Sequence, residues 1–193
     1  CALPISLSLD AVLGIDLDKS KYTFKENKAK INELPLEFDG FIQLVDAGQE
    51  YDLKFKTPTS SFKNFLGLIP AQYASNLNDV TTNGDFTVAG FAKGLYSDKT
   101  VPKFNIDIAS NNASFKYKNL PKSVENIVID TKIINETGTL NDTYVNLDKL
   151  SFRIDQDVFN AKANIKNISG LTPAIAIDQK TSTSNSRSTV GTM

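Results

Sequence analysis

From residue 5 to residue 18 the chain alternates without a break. Ile5, Leu7, Leu9, Ala11, Leu13, Ile15 and Leu17 hold one parity, and Ser6, Ser8, Asp10, Val12, Gly14, Asp16 and Asp18 hold the other. Successive strand side chains point to opposite faces, so this stretch predicts one long strand, or two joined at Gly14, greasy on one face and wet on the other. The same grammar recurs downstream. Leu34, Leu36 and Phe38 alternate up to Asp39-Gly40, which reads as a hairpin turn into a strand from Phe41 to Val45. Tyr51, Leu53 and Phe55 then face away from Asp52, Lys54 and Lys56, which places the lysines on the solvent side. Later runs place Phe104, Ile106 and Ile108 on one face, followed by Ala113, Phe115 and Tyr117, and then Ile127 and Ile129. Val145 and Leu147, then Leu150, Phe152 and Ile154, and finally Phe159, Ala161, Ala163 and Ile165 complete the series. About a dozen short strands with turn signals every 8 to 12 residues predict an all-β meander: a barrel, a sandwich or an open curved sheet.

One passage departs from this pattern. In "SFKNFLGLIPAQY" the apolar residues Phe62, Phe65, Leu66, Ile69 and Tyr73 recur at helical spacing. Thr59 or Ser60 is placed to cap a helix beginning near Ser61, and Pro70 kinks or ends it before a further turn or two from Ala71 to Leu77. A helix at this place either plugs or lids an apolar groove, or touches lipid, or packs across an open end of the sheet to cover core. Lys63 is its only charged residue, which suits a covering role, with the five apolar side chains capping the interior.

Composition narrows the functional classes. Net charge is −1, and only two of the 21 basic residues, Arg153 and Arg187, are arginines, so the chain lacks the basic field and bidentate readers expected of a nucleic-acid binder. Histidine is absent, which excludes Ser–His–Asp and Cys–His catalysis and His-containing zinc sites within this chain. Cys1 is the sole cysteine, so no internal disulfide can form; it reads as a lipid-modified end or as the arbitrary start of a fragment. No run reaches the roughly 18 apolar residues that a membrane span requires. Asp16 with Asp18, and Asp107 with Asp130, are the carboxylates to weigh as an acid pair, but the first two share a wet strand face. Sequons at Asn112, Asn135, Asn141 and Asn167 are close to the roughly three that chance gives at this Asn, Ser and Thr content. Residues 178–193 are Ser/Thr-rich with almost nothing to bury, and read as a disordered or non-native tail on a single domain spanning 1–177. No cofactor and no metal site is expected.

Three stretches in order, "YDLKFKTPTSSFKNFLGLIPAQY", "TTNGDFTVAGFAKGLYSD" and "VPKFNIDIASNNASFKYKNLPKSVENIVID", resemble the AsmA-like proteins of Bacteroidetes, as does the run from Asp142 to Phe152. The resemblance covers about residues 15 to 168 and is specific in order and spacing, with no catalytic motif among the matching pieces. It departs from the family in lacking a transmembrane helix and in turning Ser/Thr-rich where strands should continue. It implies a piece of a longer envelope protein, periplasmic and tethered to the inner membrane by a segment outside these residues. Such proteins are similar to TamB and to bridge-like lipid transfer proteins.

The expected fold is therefore mainly β: a curved, mostly antiparallel meander sheet forming a β-groove or half-barrel, with one short Pro-kinked helix covering an end. The expected role is non-enzymatic, in phospholipid transport or outer-membrane assembly and homeostasis, with phospholipid acyl chains as partner. Ile5, Leu7, Leu9, Leu13, Ile15, Leu17, Phe104, Ile106 and Ile108 are the groove or core candidates. The alternative is a structural or interaction β-sandwich of a surface protein with a dry core. About ten buried methylenes at roughly 0.8 kcal/mol each hold a lipid without any dedicated polar site.

Overall fold

The computed structural model describes residues 6–32, 34–59, 61–67, 79–166 and 176–179. Their strands are β1 (Leu7–Asp10), β2 (Leu13–Asp16), β3 (Lys21–Ile31), β4 (Leu34–Val45), β5 (Gly48–Lys56), β6 (Val80–Asn83), β7 (Thr87–Tyr96), β8 (Lys103–Tyr117), β9 (Val124–Asn135), β10 (Tyr144–Ile154), β11 (Asp157–Lys166) and β12 (Ala176–Gln179). All twelve belong to one antiparallel sheet in the order β1-β3-β4-β5-β7-β8-β9-β10-β11-β12, open at both edges and not closed into a barrel. β2 shares the outer side of β3 with β1, and β6 shares one side of β8 with β7. Among the described residues the helical elements with defined bounds are one short helix, α1 (Lys63–Gly67), and a 3-10 turn at Leu140–Asp142.

Hairpin connections explain most of this order: β2 to β5 and β7 to β11 each pair with the next strand, while β1 reaches β3 past β2 and the β5–β7 connection carries α1 and β6. The apolar parity changes within three long strands, and in each a bulge absorbs the change. In β8 the apolar set passes from Phe104, Ile106 and Ile108 to Ala113 and Phe115, with register shifts between Ser110 and Phe115. In β10 it passes from Leu147 to Leu150 across another shift, and in β3 from Phe24 to Asn27 and Ala29. An extra residue flips every later side chain, so a bulge keeps the greasy set on one face. "NNASFKY" is accordingly the second half of β8 and not a separate strand. Asp85 holds this bend: its carboxylate accepts from the Asn111 and Asn112 backbone N–H groups and the Asn111 amide, while Ser110 donates to the Asp85 carbonyl.

Several expectations are corrected. Asp39-Gly40 is not a turn but the middle of β4; Gly40 takes φ +124° there, and a Cβ would strike the Asp52 backbone carbonyl. The β4–β5 hairpin instead turns at Asp46-Ala47. The first alternating run is two strands that part at Ala11-Val12 and not at Gly14, where the Val12 N–H leaves the ladder and donates to the Asn27 side chain at the β3 bulge. Asp178 and Gln179 belong to β12, so the expected tail boundary falls inside a strand. The helix expected from Ser61 through Pro70 is described as five residues, and its continuation from 68 to 78, with Ile69 and Tyr73, lies outside the described residues.

Candidate functional site

Register aligns the apolar residues into rows across the sheet. One row runs Phe38, Phe55, Gly90, Ile106, Ile133, Val145 and Ile165; the next runs Leu13, Phe24, Gly40, Leu53, Ala92 and Phe104. At Gly90 a Cβ would lie 2.8 Å from the Phe55 ring, so glycine there makes room for the aromatic to lie across the sheet. The opposite face is polar. Lys93 reaches Asp52 at 2.9 Å and Lys132 reaches Asp107 at 4.0 Å, each directly across a ladder, and Lys21 sits 3.6 Å above the Phe41 ring.

The apolar face is covered at one end. Phe62 (1% exposed), just before α1, and Phe65 of α1 form an aromatic cluster with Phe86 (0% exposed), with ring centroids 5.2 to 6.3 Å apart. They pack with Leu34 and Leu36 of β4, Val88 of β7, Ala113 of β8 and Ile127 of β9. Strands four columns apart thus share one core, because the sheet curls and α1 fills the space at its end. Phe62 is anchored by its backbone N–H donating to the Gly84 carbonyl. Leu66 is half-buried on the same helix.

Away from α1 the same face opens. Leu7 is 67% exposed, Leu9 56%, and Leu13 and Ile15 are also exposed. A depression of about 270 Å³ lies beside them, lined only by apolar residues, among them Leu7, Leu9, Phe24, Ile42, Leu53 and Phe55. Of the groove or core candidates, Leu7 and Leu9 line this depression, Leu13 and Ile15 continue its face on β2, and Ile5 lies outside the described residues. Leu17 is corrected: at 80% exposed it sits in the β2–β3 turn and does not line the face. Ile106 and Ile108 pack against the covered core, and Phe104 is half-buried on the same face farther from α1.

Sequence reasoning passed over Phe24, Ala29, Ile31, Ile42 and Phe86. The first three are split between two parities by the β3 bulge, and Phe86 stands in the short link between β6 and β7. Their only sequence signal is the parity change itself.

Several of the described charged residues form ion pairs with one another. Asp107 faces Lys132 on the polar side, and Asp16 is 3.7 Å from Lys19. A larger depression of about 760 Å³ is lined by Lys28, Glu37, Asp39, Lys54 and Lys56, side chains of both signs, together with Phe38, Phe55, Ala89, Gly90 and Phe91. Ser123 and then Arg153 hydrogen-bond Glu125 and hold its carboxyl below the usual range; Asp52 raises Lys93 above its ordinary value. Burial pushes Asp85 up, but the Asn111 and Asn112 donors outweigh it and leave the carboxyl lowered. Among the described residues no group of three or more acidic, Cys or His side chains is placed to hold a metal ion, and no helix is long and apolar enough to cross a membrane. The Asn135 sequon is spoken for: that side chain is 1% exposed, its amide donating to the Thr139 carbonyl and Thr143 hydroxyl and its oxygen accepting from the Gly138 N–H.

No family model matches the chain, and no solved structure matches it. A 32-residue stretch is 69% identical to the UvrABC system protein A of Rickettsia bellii and to that of Helicobacter pylori. It covers 17% of this chain and 3% of each relative, so the chain spans a small fraction of the curated proteins it matches.

Proposed function

We propose that this chain is a non-enzymatic cell-envelope domain that handles phospholipid acyl chains on the apolar face of its sheet, in lipid transport or outer-membrane assembly and homeostasis. In this reading it works in the periplasm, tethered to the inner membrane by sequence outside these residues. The observation that supports it most is the open half of that face, where Leu7, Leu9, Leu13 and Ile15 stand exposed beside an all-apolar depression. An exposed apolar area of this kind calls for an occupant. Acyl chains satisfy it by burial alone, about 0.8 kcal/mol per methylene, so ten methylenes contribute roughly 8 kcal/mol. The order and spacing shared with AsmA-like proteins point the same way.

The second reading, a structural or interaction β-sandwich with a dry core, needs a second sheet. All described strands lie in one sheet, and among the described residues no second sheet faces it.

The test is detergent-free purification followed by native mass spectrometry and lipid extraction. Phospholipid should accompany the wild-type protein and be lost from Leu53→Glu, whose charge would sit in the depression. A folded wild-type protein that carries no lipid, and takes none up from phospholipid vesicles, sinks the proposal.

A further inference from the structure

The two ends of the apolar face differ in polarity, and the difference runs along the strands. At the α1 end the rows consist of Leu34, Leu36, Val88 and the phenylalanines 62, 65 and 86. At the other end they end in tyrosines. Tyr22 faces Ile15 and Ile42; Tyr51 faces Ile42 and Gly94; Tyr96 faces Gln49, which in turn faces Leu44. Tyr51 and Tyr96 meet edge-on at 6.3 Å, and the Tyr51 hydroxyl donates to the Gln49 side-chain oxygen at 2.5 Å. Tyrosine is the side chain that places an apolar body and a polar tip at a boundary between oil and water. From Leu36 to Ile42 along β4 is six residues, about 20 Å at strand rise. One leaflet of a bilayer's hydrocarbon is about 15 Å thick. The apolar length between the aromatic plug and the tyrosines thus accommodates one extended acyl chain lying along the strands.

Charge at the tyrosine end selects among head groups. The turns there carry Asp18, Asp46 and Asp98 against Lys19 and Lys99, a net of −1, with Asp16 beside them at the end of β2. Lys19 is already paired with Asp16, and Lys21 lies over Phe41. A head group of net negative charge is disfavoured at such a mouth, and one carrying an ammonium group is favoured.

Building on the groove reading above, we infer that the face holds a zwitterionic, ammonium-bearing phospholipid in one orientation, its head group at Tyr22, Tyr51 and Tyr96 and an acyl tail ending at Ile31 and Leu36, beside the buried aromatic cluster. That end is then the stop of a dead-end slot, and the tyrosines are its mouth.

The test uses the wild-type protein with labelled Ile, Leu and Val methyls, loaded with phosphatidylcholine bearing a nitroxide either on the head group or at the end of an acyl chain. The head-group nitroxide should broaden the Ile15 and Leu44 methyls, and the tail nitroxide those of Ile31 and Leu36. The reverse pattern, equal broadening at both ends by either probe, or a loaded lipid that broadens none of these methyls, overturns the orientation while leaving lipid binding itself standing. A protein that takes up neither probe nor any unlabelled phospholipid fails the groove reading first, and this one with it. In competition at low salt, phosphatidylethanolamine should displace the probe about threefold better than phosphatidylglycerol, the size of one unit charge acting through water at a few ångströms. Equal or reversed displacement overturns the head-group assignment.

Discussion

The strands roofed by α1 and the β1–β2 edge of the same apolar face differ in how their leucines are used. Leu34 and Leu9 both lie on the greasy parity of an antiparallel strand, yet Leu34 is 2% exposed and Leu9 stands in solvent. What separates them is cover: Phe62, Phe65 and Phe86 lie over the first and nothing described lies over the second. Alternation decides which face a side chain occupies but not whether that face is roofed. A roofed half supplies stability that a bare half does not.

Truncation should expose this asymmetry most strongly. Phe86→Ala removes a fully buried ring from the shared core and should cost about 3–5 kcal/mol in denaturant unfolding, whereas Leu9→Ala should cost less than about 1 kcal/mol. Similar losses at both positions would mean that the open half is also packed. Glycine substitutions give the next contrast. Gly40→Ala forces a Cβ into the Asp52 carbonyl at a positive φ and should cost about 2 kcal/mol or more, while Gly14→Ala, whose nearest neighbour would be 3.7 Å away, should stay within about 0.5 kcal/mol of wild type.

A smaller effect concerns the bend that carries Ala113 into the covered core. Ser110→Ala leaves the Asp85 carbonyl without that donor and should cost about 1–2 kcal/mol. The Asp85 carboxyl is lowered in the folded protein, so its contribution is fully present above the ordinary carboxylate value near 3.8 and is lost as pH falls through the lower folded value. Asp85→Asn should therefore flatten the acid limb of the stability–pH curve relative to wild type, and an unchanged limb would count against the clamp. A small stability change is also expected for Leu13→Glu combined with Ile15→Glu, within about 0.5 kcal/mol per site by thermal melting. The same variant should lose its phospholipid, separating function from folding at the open end.

The strands were legible because each apolar side chain on a half-covered sheet reports its face directly, as Tyr51, Leu53 and Phe55 do on β5. Connections were less legible. Asp39-Gly40 carries turn chemistry, yet its glycine serves a close backbone approach within β4, and pairing partners on both sides override the local signal. Bulges such as Ser110–Ala113 look like turns in a sequence because polar residues interrupt the alternation, and only the Asp85 hydrogen bonds, 25 to 27 residues away in the chain, show that the strand continues. For the site, the helix residues Phe62 and Phe65 were legible from their break in period, but Phe86 was not. A lone aromatic between two strands carries no periodicity, and its burial depends on α1 meeting a curled sheet.

The central claim is that the open half of the apolar face is the resting place of an acyl chain. Its most direct test is the set of intermolecular NOEs between acyl methylenes and protein methyls in the lipid-loaded protein. Contacts to Leu9, Ile15, Ile42 and Leu53, with none to the roofed Leu34, are the result expected here. Acyl NOEs confined to the polar face, or an absence of acyl contacts to those four methyls while lipid is demonstrably bound, would contradict it.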